Sequence, residues 1–256
     1  MKKSIKRILL ILSASTLLGL GILTLMMLSP ALLYAHSSQA GPIIMLLQQE
    51  LDSAWVSLVK SAVKALEGGE LFPEGNWRSD LCLNDGSPYP TLITSILGDD
   101  VIRAFAHKIV VVSSHKGVAS LHKWDTDLST SQWVRHALVH NFQYQHHGFW
   151  GANPLGRYPE WKWEGYAEYA SIGQQLPLDT LWQRYQTHTE GPYTLVSLGN
   201  NLYTIHQHVR FLLLSKYCLE IRKMDYDSFM QSNKPADDWW AELESFIVEA
   251  RNQGCE

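Results

Sequence analysis

Hydrophobic spacing divides the chain into a few strands and several helices. Apolar residues at 43, 44, 47, 51, 54, 55, 58, 62 and 66 keep a helical period, predicting a helix over 43–66 that Gly68-Gly69 ends. Residues 80–83 alternate as a short strand, and Asn84-Asp85-Gly86-Ser87-Pro88 is a turn sequence. The β-branched run at 106–113 predicts the clearest strand. Ser129 with Gln132 three residues later matches a capping box. It predicts a helix over 129–147, stopped by Gly148. Residues 149–158 read as a loop, and Pro159 suits the first position of a helix running to about 171. Further helices are expected at 179–187, 202–218 and 236–252. No internal repeat is present. The expectation is an α+β fold, a small N-terminal sheet followed by a mostly helical domain.

The N-terminus departs from this pattern. Lys2, Lys3, Lys6 and Arg7 precede an apolar stretch over 8–28. That length matches the ~20 residues of a membrane span better than the ~7–15 of a signal-peptide core. A basic flank places its own side in the cytoplasm. Residues 1–40 are therefore expected to be a signal anchor, with cleavage of a signal peptide after Ser38-Gln39-Ala40 the alternative. Residues 41–256 would then form an extracytoplasmic domain, periplasmic or at the cell surface, tethered to the inner or plasma membrane by a single pass. Export permits disulfides. Cys82, Cys218 and Cys255 allow one bridge, and the pair stays open.

Composition narrows the function classes. With 46% hydrophobic and 18% charged residues in a 256-residue chain, disorder is excluded and one domain is the natural count. A net charge of −4 gives no basic footprint for nucleic acid.

The candidate chemistry lies at 136–168. His136 and His140 are four apart on the predicted helix, a rotation of ~400°, so both imidazoles share one face. With 11 histidines in the chain, that pair alone is a weak signal. The following helix changes its weight. It reads Pro159-Glu160-Trp161-Lys162-Trp163-Glu164-Gly165-Tyr166-Ala167-Glu168-Tyr169, with Glu164 and Glu168 on one face. Two histidines on one helix and a carboxylate on the next make a three-ligand site with an open position, as catalytic zinc sites have. A second carboxylate one turn on can fix a ligand histidine's tautomer. Gly165 allows another helix to come close.

These two segments, His136-Ala137-Leu138-Val139-His140-Asn141-Phe142-Gln143 and Pro159 to Tyr169, resemble the gluzincin-type zinc metallopeptidases of the peptidase-MA-like group. The resemblance covers residues 129–171 and is specific in its second motif. It implies zinc held by His136, His140 and Glu164, Glu168 as the outer partner, and a peptide or protein as substrate or partner. It also exposes a departure. The family's general base is the Glu after the first His, and here that position is Ala137. Loss of a general base costs ~10²–10⁴-fold, so weak or lost hydrolysis is expected. Glu160 and Glu168 are the candidates to replace it, although neither stands at the family's position. The alternative is a non-catalytic exported binding or regulatory module without metal. The family takes oxyanion donors from a later helix, which makes Tyr203 and His206, with His208 and Arg210 beside them, the candidates for that role. Trp150, Trp161 and Trp163 suit a substrate groove less well than a core.

Overall fold

The computed structural model describes residues 16–50, 52–115, 118–148, 151–152 and 157–252. A helix over residues 16–28 (α1) leads through the 3-10 turn Pro30–Leu33 into a hairpin of β1 (His36–Ala40) and β2 (Ile43–Leu47). The helix α2 (Ser53–Leu66) carries the chain to β3 (Ser79–Cys82), and α3 (Pro88–Leu97) carries it on to β4 (Ile102–Phe105) and β5 (Lys108–Val111). The five strands form one sheet in the order β1-β2-β3-β5-β4. Pairing is parallel for β2–β3 and β3–β5 and antiparallel for β1–β2 and β4–β5.

Both faces of this sheet are covered, so its middle strands are apolar on both sides. Met45, Leu81, Ile109 and Val111 face the main core, whereas Leu46, Cys82 and Val110 join Tyr89 and Ile93 of α3 in a second cluster. A three-stranded antiparallel sheet follows, made of β6 (Ser114–His115), β7 (Ser120–Lys123) and β8 (Thr126–Ser129). The remainder is helical apart from one hairpin. Its elements are α4 (Thr130–His147), α5 (Glu160–Ser171), α6 (Leu178–Thr187), β9 (Leu195–Gly199), β10 (Leu202–Ile205), α7 (His206–Lys216), α8 (Tyr226–Gln231) and α9 (Ala236–Asn252). Asn200 and Asn201 turn the hairpin with φ of 52° and 58°, the left-handed conformation that asparagine tolerates. The expected α+β architecture, a small sheet and then a mostly helical region, is the one observed.

Several local expectations are corrected. The helix expected over 43–66 is split into β2 and α2. Asp52 caps α2 by accepting from the Ala54 N–H at 2.8 Å, and Asp85 holds the preceding backbone by accepting from the N–H groups of Gln48 and Gln49. The helix expected over 202–218 starts only at His206, because β10 pairs with β9. Cys82 and Cys218 are buried free thiols, not a bridge. Cys255 lies outside the described residues.

The membrane anchor is also corrected. Among the described residues no helix is long and apolar enough to cross a membrane. Pro30 opens the 3-10 turn that follows α1. The single-pass anchor over 8–28, and the location inferred from it, are therefore not supported; residues 8–15 of that stretch lie outside the described residues. The end of α1 and the turn after it are tied to the sheet domain. The Tyr89 hydroxyl donates to the Met27 carbonyl at 2.7 Å, Ser87 donates to the Leu33 carbonyl, and Tyr34 donates to the Leu83 carbonyl. With β1 paired along β2, the fold begins before residue 41.

Candidate metal centre

The helix α4 starts where Ser129 accepts from the Gln132 N–H and stops at Gly148, whose φ is 68°. It lies against α2, the β4 edge of the sheet and α5, and is buried nearly all round. Many of its buried side chains are polar: Gln132, His136, His140, Asn141 and Gln143. Buried polar groups need partners. Gln132 pairs with both backbone groups of Tyr203, and Asn141 meets Ser79 at 3.0 Å. Gln143 donates to the Trp163 carbonyl at 3.1 Å, and its Oε1 lies 2.8 Å from His140 Nδ1.

His136 and His140 turn their Nε2 atoms toward each other, 3.0 Å apart. Glu164 Oε2 completes a triangle, 3.4 Å from His136 Nε2 and 3.2 Å from His140 Nε2. Tetrahedral coordination at the ~2.0–2.1 Å of zinc–nitrogen and zinc–oxygen bonds sets ligand atoms about 3.3 Å apart. The three atoms thus have the spacing of metal ligands and could hold one metal ion. The outer nitrogens are provided for as well. Gln143 Oε1 accepts the His140 Nδ1 proton, leaving Nε2 with a lone pair for an ion. His140 also stacks on Trp163, with the rings 14° from parallel.

Glu168 lies behind His136, fully buried on α5. Its Oε1 accepts from Thr204 Oγ1 at 2.6 Å and sits 3.3 Å from His208 Nδ1 and 3.7 Å from His136 Nδ1. One carboxylate thus bonds a histidine on α7 and stands at ion-pair distance from His136 on α4. Burial opposes charge on Glu168, but the His136 charge, the His208 and Thr204 hydrogen bonds and the His208 charge hold its carboxyl below the usual range. Burial likewise opposes charge on Glu164, and the charges and hydrogen bonds of His140 and His136 hold it well below the usual range. If the triangle holds a metal ion, Glu168→Gln should keep the fold and weaken binding of that ion by ~10–100-fold, the usual cost of an outer-partner change. Titration against a chelator of known affinity measures it, and an unchanged dissociation constant would remove Glu168 from this role.

A cleft of about 280 Å³ opens over the triangle. Ala137, Trp163 and Tyr144 line it on the helical side, and Asp100, Ile102, Arg103 and Ala104 on the sheet side. His208 also lines the cleft. Tyr203 and His206 do not. Tyr203 is held through its backbone by Gln132, and His206 stacks on Tyr185 with Nε2 3.0 Å from the Tyr185 carbonyl. Arg210 pairs with Asp237. Trp161 packs on Phe229 in the core, while Trp163 backs the cleft; Trp150 lies outside the described residues. Asp100 and Arg103 carry no local motif and were not legible as cleft residues. His208 could be read only as one of four polar residues on a late helix.

Comparison of the chain with protein-family profiles, curated proteins and solved structures finds no match.

Proposed function

We propose that the His136–His140–Glu164 group holds zinc and that the chain is a gluzincin-type metallopeptidase relative acting on extended peptides. The observation that carries this reading is the triangle of two imidazole nitrogens and one carboxylate oxygen, with all ligand atoms within 4.8 Å of one another at the floor of a cleft. Two histidines and one carboxylate with a free position suit zinc better than calcium or magnesium, which prefer all-oxygen sites. Bound zinc supplies a Lewis acid that polarises a carbonyl and eases loss of a proton from water.

The chain's own residues supply the rest. β4 is the edge of the sheet, and its residues Ile102 to Ala104 line the cleft, so an extended peptide can add as a further strand beside the triangle. Burial opposes charge on His208, but the Glu168 hydrogen bond and the Glu164 and Glu168 charges raise its imidazole above the ordinary value, and in the protonated ring, with Nδ1 on Glu168, Nε2–H can donate to an oxygen that gains charge. A second reading, zinc held with hydrolysis lost and the cleft kept for binding, rests on Ala137 standing where the resemblance expects the base.

Zinc analysis of protein purified without chelator should give one ion per chain, and hydrolysis of an unstructured peptide library should stop with chelator and return with zinc. Folded protein that takes up no zinc would end both readings. Zinc uptake without hydrolysis would leave the second.

A further inference from the structure

The helix that carries the two histidines brings no carboxylate to the cleft. Ala137 lines it with a methyl group and is 1% exposed. The two α5 carboxylates outside the triangle fare differently. Glu168 is buried, and its Oε1 is shared among Thr204, His208 and His136. Glu160 lines the cleft but stands exposed on the first turn of α5.

The opposite wall carries another carboxylate. Asp100 ends the loop before β4, and its half-buried side chain lines the same cleft. Its position is fixed at both oxygens. Oδ1 accepts from the Val101 N–H at 2.7 Å, and Oδ2 lies 3.7 Å from Arg103 Nη2. Glu164 of α5 and His136 of α4 line the same cleft from the other wall. A short side chain held by the backbone of the next residue keeps its place better than a long exposed one.

We propose that Asp100 is the proton acceptor for hydrolysis in this cleft, a carboxylate supplied by the sheet edge in place of the one missing from the ligand helix. This rests on the zinc reading above and deepens it. Asp100 takes a proton from the attacking water as the water oxygen bonds to the scissile carbonyl carbon. When the carbon–nitrogen bond breaks, Asp100 gives that proton to the leaving amine nitrogen and returns to its carboxylate form. The products are one carboxyl and one amine, and no other reactant is consumed. Burial holds the Asp100 carboxyl above the ordinary value despite Val101 and Arg103, the direction a base working near neutrality needs.

The test uses the zinc-loaded full chain and Asp100→Asn, which keeps the side-chain oxygen that meets Val101. Asp100→Asn should retain zinc and lower kcat on the peptide library by ~10²–10⁴-fold. Glu160→Gln should cost less, and Ala137→Glu added to Asp100→Asn should recover activity. Binding of acetohydroxamate, followed by calorimetry in buffers of different ionisation enthalpy, gives a readout independent of turnover. The wild type should hold the proton that the hydroxamate loses, and Asp100→Asn should release it to the buffer. Zinc-loaded Asp100→Asn with wild-type kcat, or with wild-type proton balance, overturns the proposal while the zinc reading stands. A larger loss from Glu160→Gln than from Asp100→Asn also overturns it. Failure of the wild type to take up zinc is the separate failure of the reading beneath it, and Asp100 then loses its role too.

Discussion

His140→Ala should yield a folded chain that no longer retains zinc through gel filtration. The imidazole contributes one of three ligand atoms, so the loss should exceed the ~10–100-fold expected for an outer partner. The ring also links two elements. Its Nδ1 meets Gln143 Oε1 at 2.8 Å, and its face stacks on Trp163, so truncation opens a space between α4 and α5. A moderate fall in stability should accompany the loss of metal. His206→Ala, outside the cleft, is the matched control and should retain zinc. Zinc analysis of the two variants after identical purification decides the matter. A His140→Ala chain with full zinc would show that the triangle is not the site.

Gly165→Ala should be strongly damaging to the helical half. A Cβ there would lie 2.4 Å from Ser215 Oγ and 2.6 Å from the Phe211 carbonyl oxygen, both on α7. Ser215 can rotate its hydroxyl away, but Phe211 presents backbone, so the two helices must separate. Overpacking of this kind costs about 1–3 kcal/mol or more. For a chain of this size that is a fall in Tm of roughly 2–4 °C for each kcal/mol. Glu164 and Glu168 flank Gly165 on α5, so the displacement should also weaken zinc binding. Thermal unfolding with and without added zinc measures both effects. An unchanged Tm would mean that the helix contact is looser than the distances imply.

Much of the ligand set was legible because it is local. The spacing of His136 and His140, the Ser129 cap and the Gly148 stop fix one helix face, and Glu164 and Glu168 fix another. The elements read less well where tertiary pairing overrides periodicity. Ile43, Ile44 and Leu47 fit a helical period, but they occupy a strand covered on both faces, where apolar residues run together. β1, with the sequence His36-Ser37-Ser38-Gln39-Ala40, is polar enough to pass for a loop and is a strand because β2 pairs with it. Leu202 to Ile205 continue the apolar pattern of α7, yet the Asn200-Asn201 turn sends them back along β9. In the cleft, the second wall was invisible. Asp100 and Arg103 line the cleft with the triangle only because β4 is placed outside β5, an ordering that no short stretch of sequence encodes.

That ordering bears on when the centre can form. Parallel pairing of β2, β3 and β5 requires α2 and α3 to be crossed first, and such non-local ladders fold slowly. The two histidines sit one turn apart on a single helix and meet as soon as α4 winds. Glu164 joins them only when α5 has docked, which needs Gly165 seated on α7. An ion that reaches the chain early finds two nitrogens and no carboxylate. On the zinc reading, zinc uptake followed in real time during refolding should lag behind helix formation and coincide with the docking of α5 on α7.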